Sequence, residues 1–151
     1  MRVEPAGIDQ LEAWTALRHL LWPQTSLADH RVEIRATLDE PDRLAAFVCH
    51  GEAGEVIGLA EASLRTDYVN GCETSPVAFL EGIVVSPQFR GQGVAAGLVA
   101  AVIEWARHKG VQELASDADL GNSASHAMHR ALGFEETQRV VYFRKRLDPS
   151  D

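Results

Sequence analysis

A glycine-rich segment at residues 88–93 (QFRGQG) separates a continuously apolar stretch from a strongly periodic one. The order strand, glycine-rich turn, helix exposes unpaired backbone N–H groups at a helix N-terminus, where the helix dipole adds roughly half a positive charge. Glycines let a ligand approach the backbone without a Cβ in the way. Such a turn suits a diphosphate group. A tight strand-to-helix turn that binds no ligand can have the same sequence pattern, so the glycines alone leave both interpretations open.

Two other phosphate-binding motifs fit this segment less well. A P-loop requires Lys and then Ser or Thr after its last glycine, whereas Val94 and Ala95 follow Gly93 here, which argues against ATP chemistry. The dinucleotide fingerprint requires a third glycine, and Ala96 stands in its place. An acid after the next strand, Asp117, keeps the dinucleotide interpretation open as an outside alternative.

Acidic residues dominate the charge of the chain. The 151 residues carry 14 Lys plus Arg and 22 Asp plus Glu, a formal net charge of −8 that disfavours nucleic acid and favours cationic small molecules. Several acids fall in predicted loops or at strand ends, where they can converge at one end of a sheet: Asp67, Glu73, Glu81, Asp117, Asp119, Glu135 and Glu136.

Cysteine and hydropathy patterns indicate a cytoplasmic protein. Cys49 and Cys72 form no CxxC and are too few for a disulfide framework, so both are predicted to be reduced thiols. No apolar run approaches the roughly 20 residues of a membrane span, and no secretory signal pattern opens the chain. His126 and His129 lie on one predicted helix without a nearby third ligand, so we expect no metal.

Periodicity predicts the elements that position these residues. Apolar side chains at three- and four-residue steps predict helices at residues 8–22, 27–38 and 94–108, and a further helix at 122–132 ends at Gly133. Strands are predicted at 44–50 and 56–64, joined as an antiparallel hairpin, and at 77–85, 111–116 and 140–147. Turn-forming residues make 67–76 a loop or hairpin tip. The result is one α/β domain over residues 1–151, without repeats or linkers.

Two motifs in this order resemble the GNAT acyltransferases. The family signature Q/RxxGxG/A matches Gln88, Gly91 and Gly93, and NSASHAMHRALGF from Asn122 is similar to the downstream helix of the family. The resemblance covers the chain from about Val3 to Leu147. It implies a mixed, mostly antiparallel central sheet, helices on both faces, and a central pair of strands that splay apart near Val85 and Asp117.

The resemblance implies acetyl-coenzyme A as the co-substrate. Its pantetheine arm would lie along the strand like an added strand, with Asn122 hydrogen-bonded to it. Where most of the family has Tyr to protonate the departing thiolate, this chain has His129; a packed histidine, with water as the acid, is the competing interpretation. The coenzyme-binding residues implied are Ile83, Val84 and Val85 for the arm, and Gly91, Gln92, Gly93, Val94, Ala95 and Ala96 for the pyrophosphate.

Within the superfamily, five stretches are most similar to the aminoglycoside 6′-N-acetyltransferases: LWP at 21–23, DYVNGC at 67–72, SPVAFLEGI at 75–83, ASD at 115–117 and ALGFEETQRVVYFRKRL at 131–147. This resemblance implies that Trp22, Tyr68, Glu81 and Asp117 line the acceptor pocket. Gln138 occupies a position where close relatives are expected to carry an acid. Carboxylates with an aromatic wall suit a polycationic amino sugar.

The expected chemistry is direct attack of the amine on the thioester in a ternary complex, since the thioester is already activated. An alkylamine with a pKa near 10.4 must lose a proton first, and Asp117 is the expected acceptor, directly or through water. Backbone N–H groups near 83–85 are the expected oxyanion donors. An acyl-enzyme at Cys72 is an alternative without a histidine placed to activate the thiol.

Other functions remain open at this point. An N-acetyltransferase for a polyamine or a protein amine has the same requirements, and a non-catalytic acyl-CoA-binding module is allowed by His129 in place of Tyr. The resemblance also implies a homodimer, in which the terminal strand at 140–147 could pair with its copy across a two-fold axis.

Overall fold

The computed structural model describes residues 1–149. Contacts divide the chain into two compact units, Met1–Asp117 and Ala118–Asp151. Among the described residues, no helix is both long and apolar enough to cross a membrane.

The first unit contains five strands and three α-helices. The strands are β1 (Arg2–Pro5), β2 (Leu44–His50), β3 (Val56–Arg65), β4 (Val77–Val85) and β5 (Leu114–Ser116). The helices are α1 (Leu11–Leu21), which follows a 3₁₀ turn at Ile8–Gln10, α2 (Leu27–Asp39), and α3 (Val94–His108), which follows a second 3₁₀ turn at Pro87–Phe89. The second unit contains α4 (Ser123–Ala131).

The sheet has the strand order β1-β2-β3-β4-β5. The first three pairings are antiparallel, and β4 pairs with β5 in parallel. The expected mixed, mostly antiparallel sheet is confirmed. The parallel pairing covers only Ala78–Leu80 of β4 against β5, so the last half of β4 runs on beyond the end of β5.

Helices cover both faces of this sheet. On one face the core joins α1 and α2 to the sheet; on the other, a Cβ added to Gly58 would meet Val94 and Leu98 of α3. Gly58 and Leu59 are consecutive in β3, and successive strand residues face opposite sides. The core on the α1 and α2 face is formed by Trp14, Leu17, Ile34, Ala46, Val48, Leu59 and Val84.

Three predicted elements need correction. The residues at 140–147, predicted as a strand, have irregular backbone and exposed side chains, because no neighbouring strand of the described chain pairs with them. The strand predicted at 111–116 is shortened to Leu114–Ser116. The helix predicted at 8–22 begins as a separate 3₁₀ turn. Strand β1 was missed, since four residues are too few to show a clear alternation.

Candidate active site

The turn before α3 holds two glycines in the left-handed region. Gly91 has φ +77° and Gly93 has φ +83°. An added Cβ would meet nothing within 4 Å at either position, so the backbone conformation, and not crowding, requires glycine. Residues 91–93 are exposed, and the N-cap residue of α3, Gly93, makes no side-chain capping hydrogen bond. The N–H groups of its first turn have no intrahelical acceptor, which suits a bound diphosphate.

The end of β4 next to this turn offers a backbone edge. Residues 82–85 pair with β3 on one side, whereas β5 pairs only with Ala78–Leu80 on the other. In an antiparallel ladder alternate residues direct their N–H and C=O groups away from the partner strand. The side chain of Arg90 ties the turn to this strand, its Nε donating to the Val85 carbonyl at 3.2 Å. An extended ligand can therefore add to β4 here as a further strand.

A bulge interrupts the pairing of β3 with β4 at this edge. Glu61 pairs with Gly82 and Ala62 pairs with Leu80, which leaves Glu81 as the extra residue of β4. Bulges redirect side chains and are common beside active sites. The bulge places Glu81 next to the point where β4 and β5 stop pairing.

Both oxygens of the Glu81 carboxylate accept hydrogen bonds from side chains of β3. Ser63 Oγ donates to Oε2 at 2.5 Å. Arg65 donates in bidentate fashion, from Nη2 to Oε1 at 2.8 Å and from Nε to Oε2 at 3.1 Å. The Arg65 guanidinium also stacks on Phe79, with Cζ 3.5 Å from the ring centroid. The Arg65 guanidinium therefore already pairs with Glu81, a carboxylate that is predicted to bind the acceptor substrate.

Trp22, at the C-terminus of α1, is held from three sides. The Arg18 guanidinium lies 4.9 Å from the centroid of the Trp22 ring. The backbone carbonyl of Trp22 accepts a hydrogen bond from His30 Nε2 at 3.1 Å. Its ring packs over Gly82, where an added Cβ would come within 2.7 Å of Cζ2 and Cη2. Gly82 therefore leaves the space that Trp22 fills against β4.

A buried ion pair lies beneath Trp22. Glu61 Oε2 accepts from Trp14 Nε1 at 2.8 Å and contacts Arg18 Nε at 3.1 Å. Arg18 also pairs with Glu33 at 2.9 Å. Burial raises the pKa of Glu61, and Arg18 opposes that rise. Buried ion pairs add little net stability over apolar packing. We therefore explain the Arg18–Glu61 pair by its effect on position, since it holds the Arg18 guanidinium against the Trp22 ring.

Tyr68 belongs to the loop between β3 and β4 and is 73% exposed. Residues 64–69 and Arg43 line an open hollow of about 500 Å³ at the end of β3. Glu113, just before β5, anchors the far end of this loop: it accepts from the backbone N–H of Glu73 at 3.0 Å and of Thr74 at 2.8 Å, and from the Thr74 hydroxyl. These hydrogen bonds, led by that of the hydroxyl, lower the pKa of Glu113.

Asp117 follows β5 directly and is exposed. The parallel register pairs Ser116 with Leu80, so Asp117 and Glu81 are each the next residue after the last pair. The structure thus brings two predicted acceptor residues together where β4 and β5 stop pairing, Glu81 within β4 and Asp117 after the end of β5, with Trp22 packed over the neighbouring Gly82.

Three predicted site residues lie in the second unit. The side chain of Asn122 caps α4, its Oδ1 accepting from Ser125 N at 3.1 Å. His129 Nδ1 lies 2.7 Å from the Ser125 carbonyl, which can only accept, so Nδ1 carries the proton of the neutral ring. The ring also contacts Phe134 edge to face, with centroids 5.1 Å apart. Gln138 is exposed on irregular backbone.

Neither cysteine is set up as a nucleophile. Cys49 is buried and Cys72 half-buried, and both are free thiols. Burial raises the pKa of Cys72, and the neighbouring Glu113 raises it further, so the thiolate is disfavoured. Within residues 1–149, no group of three or more His, Cys, Asp or Glu residues is arranged to hold a metal.

The residues that hold the candidate site residues in place were not predicted from the sequence. Arg65 and Ser63 hold Glu81, and Glu113 holds the loop that carries Tyr68. A signal for the first pair was present, because Glu61, Ser63 and Arg65 alternate along one face of an otherwise apolar strand. Glu113 gave no local signal, since its partners lie about 40 residues earlier in the chain.

Comparison with known proteins gives a consistent family. The model of the acetyltransferase (GNAT) family matches residues 14–134. An aminoglycoside N(6′)-acetyltransferase type 1 of Serratia marcescens is 54% identical over 139 residues, which cover 92% of this chain and 94% of the relative. A protein of the same name from Acinetobacter baumannii is 48% identical over 147 residues, covering 97% and 99%.

Solved structures agree with this result. The apo aminoglycoside antibiotic 6′-N-acetyltransferase AAC(6′)-IG from Acinetobacter haemolyticus superposes with a TM-score of 0.92 at 45% identity, covering 98% of this chain and 100% of that one. AAC(6′)-Iy in complex with the bisubstrate analogue CoA-S-monomethyl-acetylneamine superposes with a TM-score of 0.91 at 46% identity, covering 97% and 98%.

Proposed function

The chain belongs to the GNAT acetyltransferase family, and we propose that it transfers the acetyl group of acetyl-CoA to the 6′-amine of aminoglycoside antibiotics, an activity that confers resistance. Full-length relatives at about half identity are named for this reaction. The observation in the structure that carries the proposal is the layout of β4. One strand leads from an acid-and-aromatic group at Glu81 to an uncapped glycine turn before α3.

The residues present fit acetyl-CoA. Backbone N–H groups of residues 91–96 would hold its pyrophosphate, and the β4 edge at 83–85 would pair with its pantetheine arm. When bound, the coenzyme supplies an activated acetyl thioester. Asn122 is proposed to hydrogen-bond the pantetheine, a role that rests on the sequence resemblance alone.

The acceptor site fits a polycation. Trp22 provides a rigid apolar wall for a sugar ring, and Tyr68 provides a second aromatic side chain at the rim of the hollow. Glu81 and Asp117 provide carboxylates where the pairing of β4 with β5 ends. The net charge of −8 attracts a cationic drug over a longer range. Gln138 is assigned to this site from the resemblance, and it supplies an amide where an acid was expected.

The amine attacks directly, without an acyl-enzyme. Asp117 orients the amine and accepts its proton, directly or through a water molecule. Backbone N–H groups near 83–85 stabilise the developing oxyanion. His129 or water returns a proton to the thiolate. The raised pKa of Cys72 argues against a covalent route through that thiol.

Mass spectrometry of kanamycin incubated with the protein and acetyl-CoA tests this function. We expect one acetyl group on the 6′ nitrogen. A parallel incubation with spermidine and a peptide amine is the control, because unchanged kanamycin with one of those amines consumed would replace the proposed substrate. Coenzyme binding without turnover of any amine would instead indicate a non-catalytic acyl-CoA-binding module.

We also propose that the protein is a homodimer that works in the cytoplasm. Residues 140–147 expose a run of apolar side chains, including Tyr142 at 83% and Phe143 at 92%. Contiguous apolar exposure of this kind marks an interaction surface. Pairing of this segment with its copy across a two-fold axis would cover it. Acetyl-CoA as co-substrate and the two free thiols support the cytoplasm.

A further inference from the structure

The cation that neutralises Glu81 comes from the protein itself. Arg65 donates to both carboxylate oxygens, from Nη2 to Oε1 at 2.8 Å and to Oε2 at 3.0 Å, with a third bond from Nε. A substrate ammonium offers the same partner chemistry, N–H donors on a positive charge. The guanidinium therefore holds the position that an acceptor ammonium would take at this carboxylate.

We propose that Arg65 is a specificity-determining residue that competes with the ammonium groups of the acceptor for Glu81. An acceptor gains the Glu81 contact only by displacing this guanidinium. Polycations with an ammonium placed to reach Glu81 are selected over amines without one. This inference rests on the proposed function and adds to it the residue that sets the strength of acceptor binding.

Glu81 stays in place when Arg65 leaves. Ser63 is buried, and its hydroxyl donates to Glu81 Oε2 at 2.5 Å independently of the guanidinium. Glu81 is also the bulged residue of β4, so the backbone itself directs its side chain toward Ser63. Loss of Arg65 therefore exposes an ordered carboxylate.

When an acceptor displaces Arg65 from Glu81, Arg65 can keep its contact with the Phe79 ring. Its Cζ lies 3.5 Å from the centroid of the Phe79 ring, a cation–π contact that does not depend on Glu81. The ion pair is also partly open to solvent, with 42% of the Arg65 side chain and 32% of the Glu81 side chain exposed. Pairs of this exposure are weak enough for a ligand cation to replace.

Kanamycin binding measured by calorimetry on the full chain tests the proposal. The variant is Arg65→Met, which keeps an apolar stem on Phe79 and removes the charge. The matched control is Arg43→Met, which also removes one positive charge beside the same hollow, where the guanidinium pairs with Glu40 at 2.7 Å. We expect the Kd for kanamycin to fall about two- to fivefold in Arg65→Met relative to Arg43→Met, as for removal of one exposed ion pair.

Two further measurements make the result specific. In a Glu81→Gln background, Arg65→Met should no longer lower the Kd, because the contested carboxylate is absent. Raising the salt to about 0.5 M should narrow the difference between the two variants. Equal Kd values for Arg65→Met and Arg43→Met would overturn the proposal. A higher Kd in Arg65→Met would assign Arg65 to orienting Glu81 instead.

The outcome also separates this inference from the function on which it rests. If neither the natural chain nor any variant binds kanamycin, the proposed function fails and the role of Arg65 fails with it. If the natural chain binds kanamycin and only the expected difference is missing, the function stands and the competition is wrong.

Discussion

At the scale of single residues, the two carboxylates just beyond the last β4–β5 pair, Glu81 and Asp117, have different surroundings. Glu81 accepts hydrogen bonds from Ser63 and Arg65. Asp117 is exposed one residue beyond the last parallel pair. Both oxygens of Glu81 already accept hydrogen bonds from the protein, whereas Asp117 is exposed to an incoming amine, so Asp117 is the better candidate for the base.

Asp117→Asn should lower kcat at least about tenfold, equivalent to roughly 1.4 kcal/mol of barrier. The amide keeps the shape of the side chain and cannot accept the proton. The Kd for acetyl-CoA should be retained. Asp119→Asn, an exposed acid two residues further on, serves as the control in steady-state assays. Equal turnover in Asp117→Asn would end its proposed role.

We expect Glu113 to make the loop after β3 sensitive to pH. The Thr74 hydroxyl and the loop N–H groups lower its folded pKa below the ordinary value of 4.5. The ionised form is therefore favoured in the fold, so its contribution is fully present above about 4.5 and is lost as pH falls through the lowered pKa. Hydrogen exchange should show the Glu73 and Thr74 amides protected at neutral pH and exposed in acid.

The variant Glu113→Gln separates the charge from the packing. Its amide should weaken protection of both loop N–H groups at neutral pH and raise the KM for kanamycin through the mobility of Tyr68. Protection that is unchanged in Glu113→Gln would show that the loop is held by other contacts. Glu104→Gln, on the exposed side of α3, is the control.

The sequence identifies candidate site residues, but it predicts only some of the contacts that hold them. Gly91, Gly93 and Glu81 could be predicted from a motif or from a resemblance. The engagement of Glu81 by Arg65 could not, because it depends on the register of β3 with β4 and on the bulge between them. A one-residue shift in register would turn the same side chains to the opposite face.

At the scale of elements, α1 can pack against β4 because Gly82 has no side chain. Gly82→Ala would place a Cβ 2.6 Å from Leu21 Cδ2 and 2.7 Å from the Trp22 ring. The ring must move, so we expect a loss of about 1–3 kcal/mol of stability and a higher KM for kanamycin. Urea unfolding and steady-state kinetics measure the two effects.

Gly121→Ala is the matched control, since an added Cβ there meets nothing within 4 Å. It should behave as the natural chain does in both measurements. A Gly82→Ala variant with unchanged KM would mean that the position of the Trp22 ring does not matter for the acceptor.

Periodic elements were predictable, and elements that need distant partners were not. The apolar stripe of α3, with Val94, Leu98 and Val102 buried, shows in the sequence because a helix satisfies its own hydrogen bonds. The segment at 140–147 has an apolar pattern suited to a strand but lacks a neighbouring strand in the described chain. A strand forms only against a partner, and sequence pattern alone does not supply one.

At the scale of the whole molecule, the apolar run at 140–147 predicts self-association. Phe143→Lys should convert the proposed dimer to a monomer by placing a charge in the apolar contact. Light scattering coupled to size-exclusion chromatography measures the mass directly. Leu120→Lys, which changes another exposed apolar side chain, is the control and should leave the mass unchanged. A natural chain that is monomeric at micromolar concentration contradicts the homodimer.

The net negative charge of the protein affects the binding of the two substrates in opposite ways. A net charge of −8 attracts a cationic drug and repels an anionic coenzyme. Binding of acetyl-CoA must therefore come from local groups, and we propose that the turn before α3 supplies them as N–H groups and a helix dipole.

Calorimetric titration of the protein with acetyl-CoA, compared with acetyl-pantetheine, tests this account most directly. The two ligands share the thioester and the arm but differ in the 3′-phosphoadenosine diphosphate, whose diphosphate the glycine turn is proposed to hold. We predict saturable heat with acetyl-CoA and a Kd at least about tenfold weaker with acetyl-pantetheine, a difference of roughly 1.4 kcal/mol. No heat with acetyl-CoA, or equal affinity for the two ligands, would contradict it.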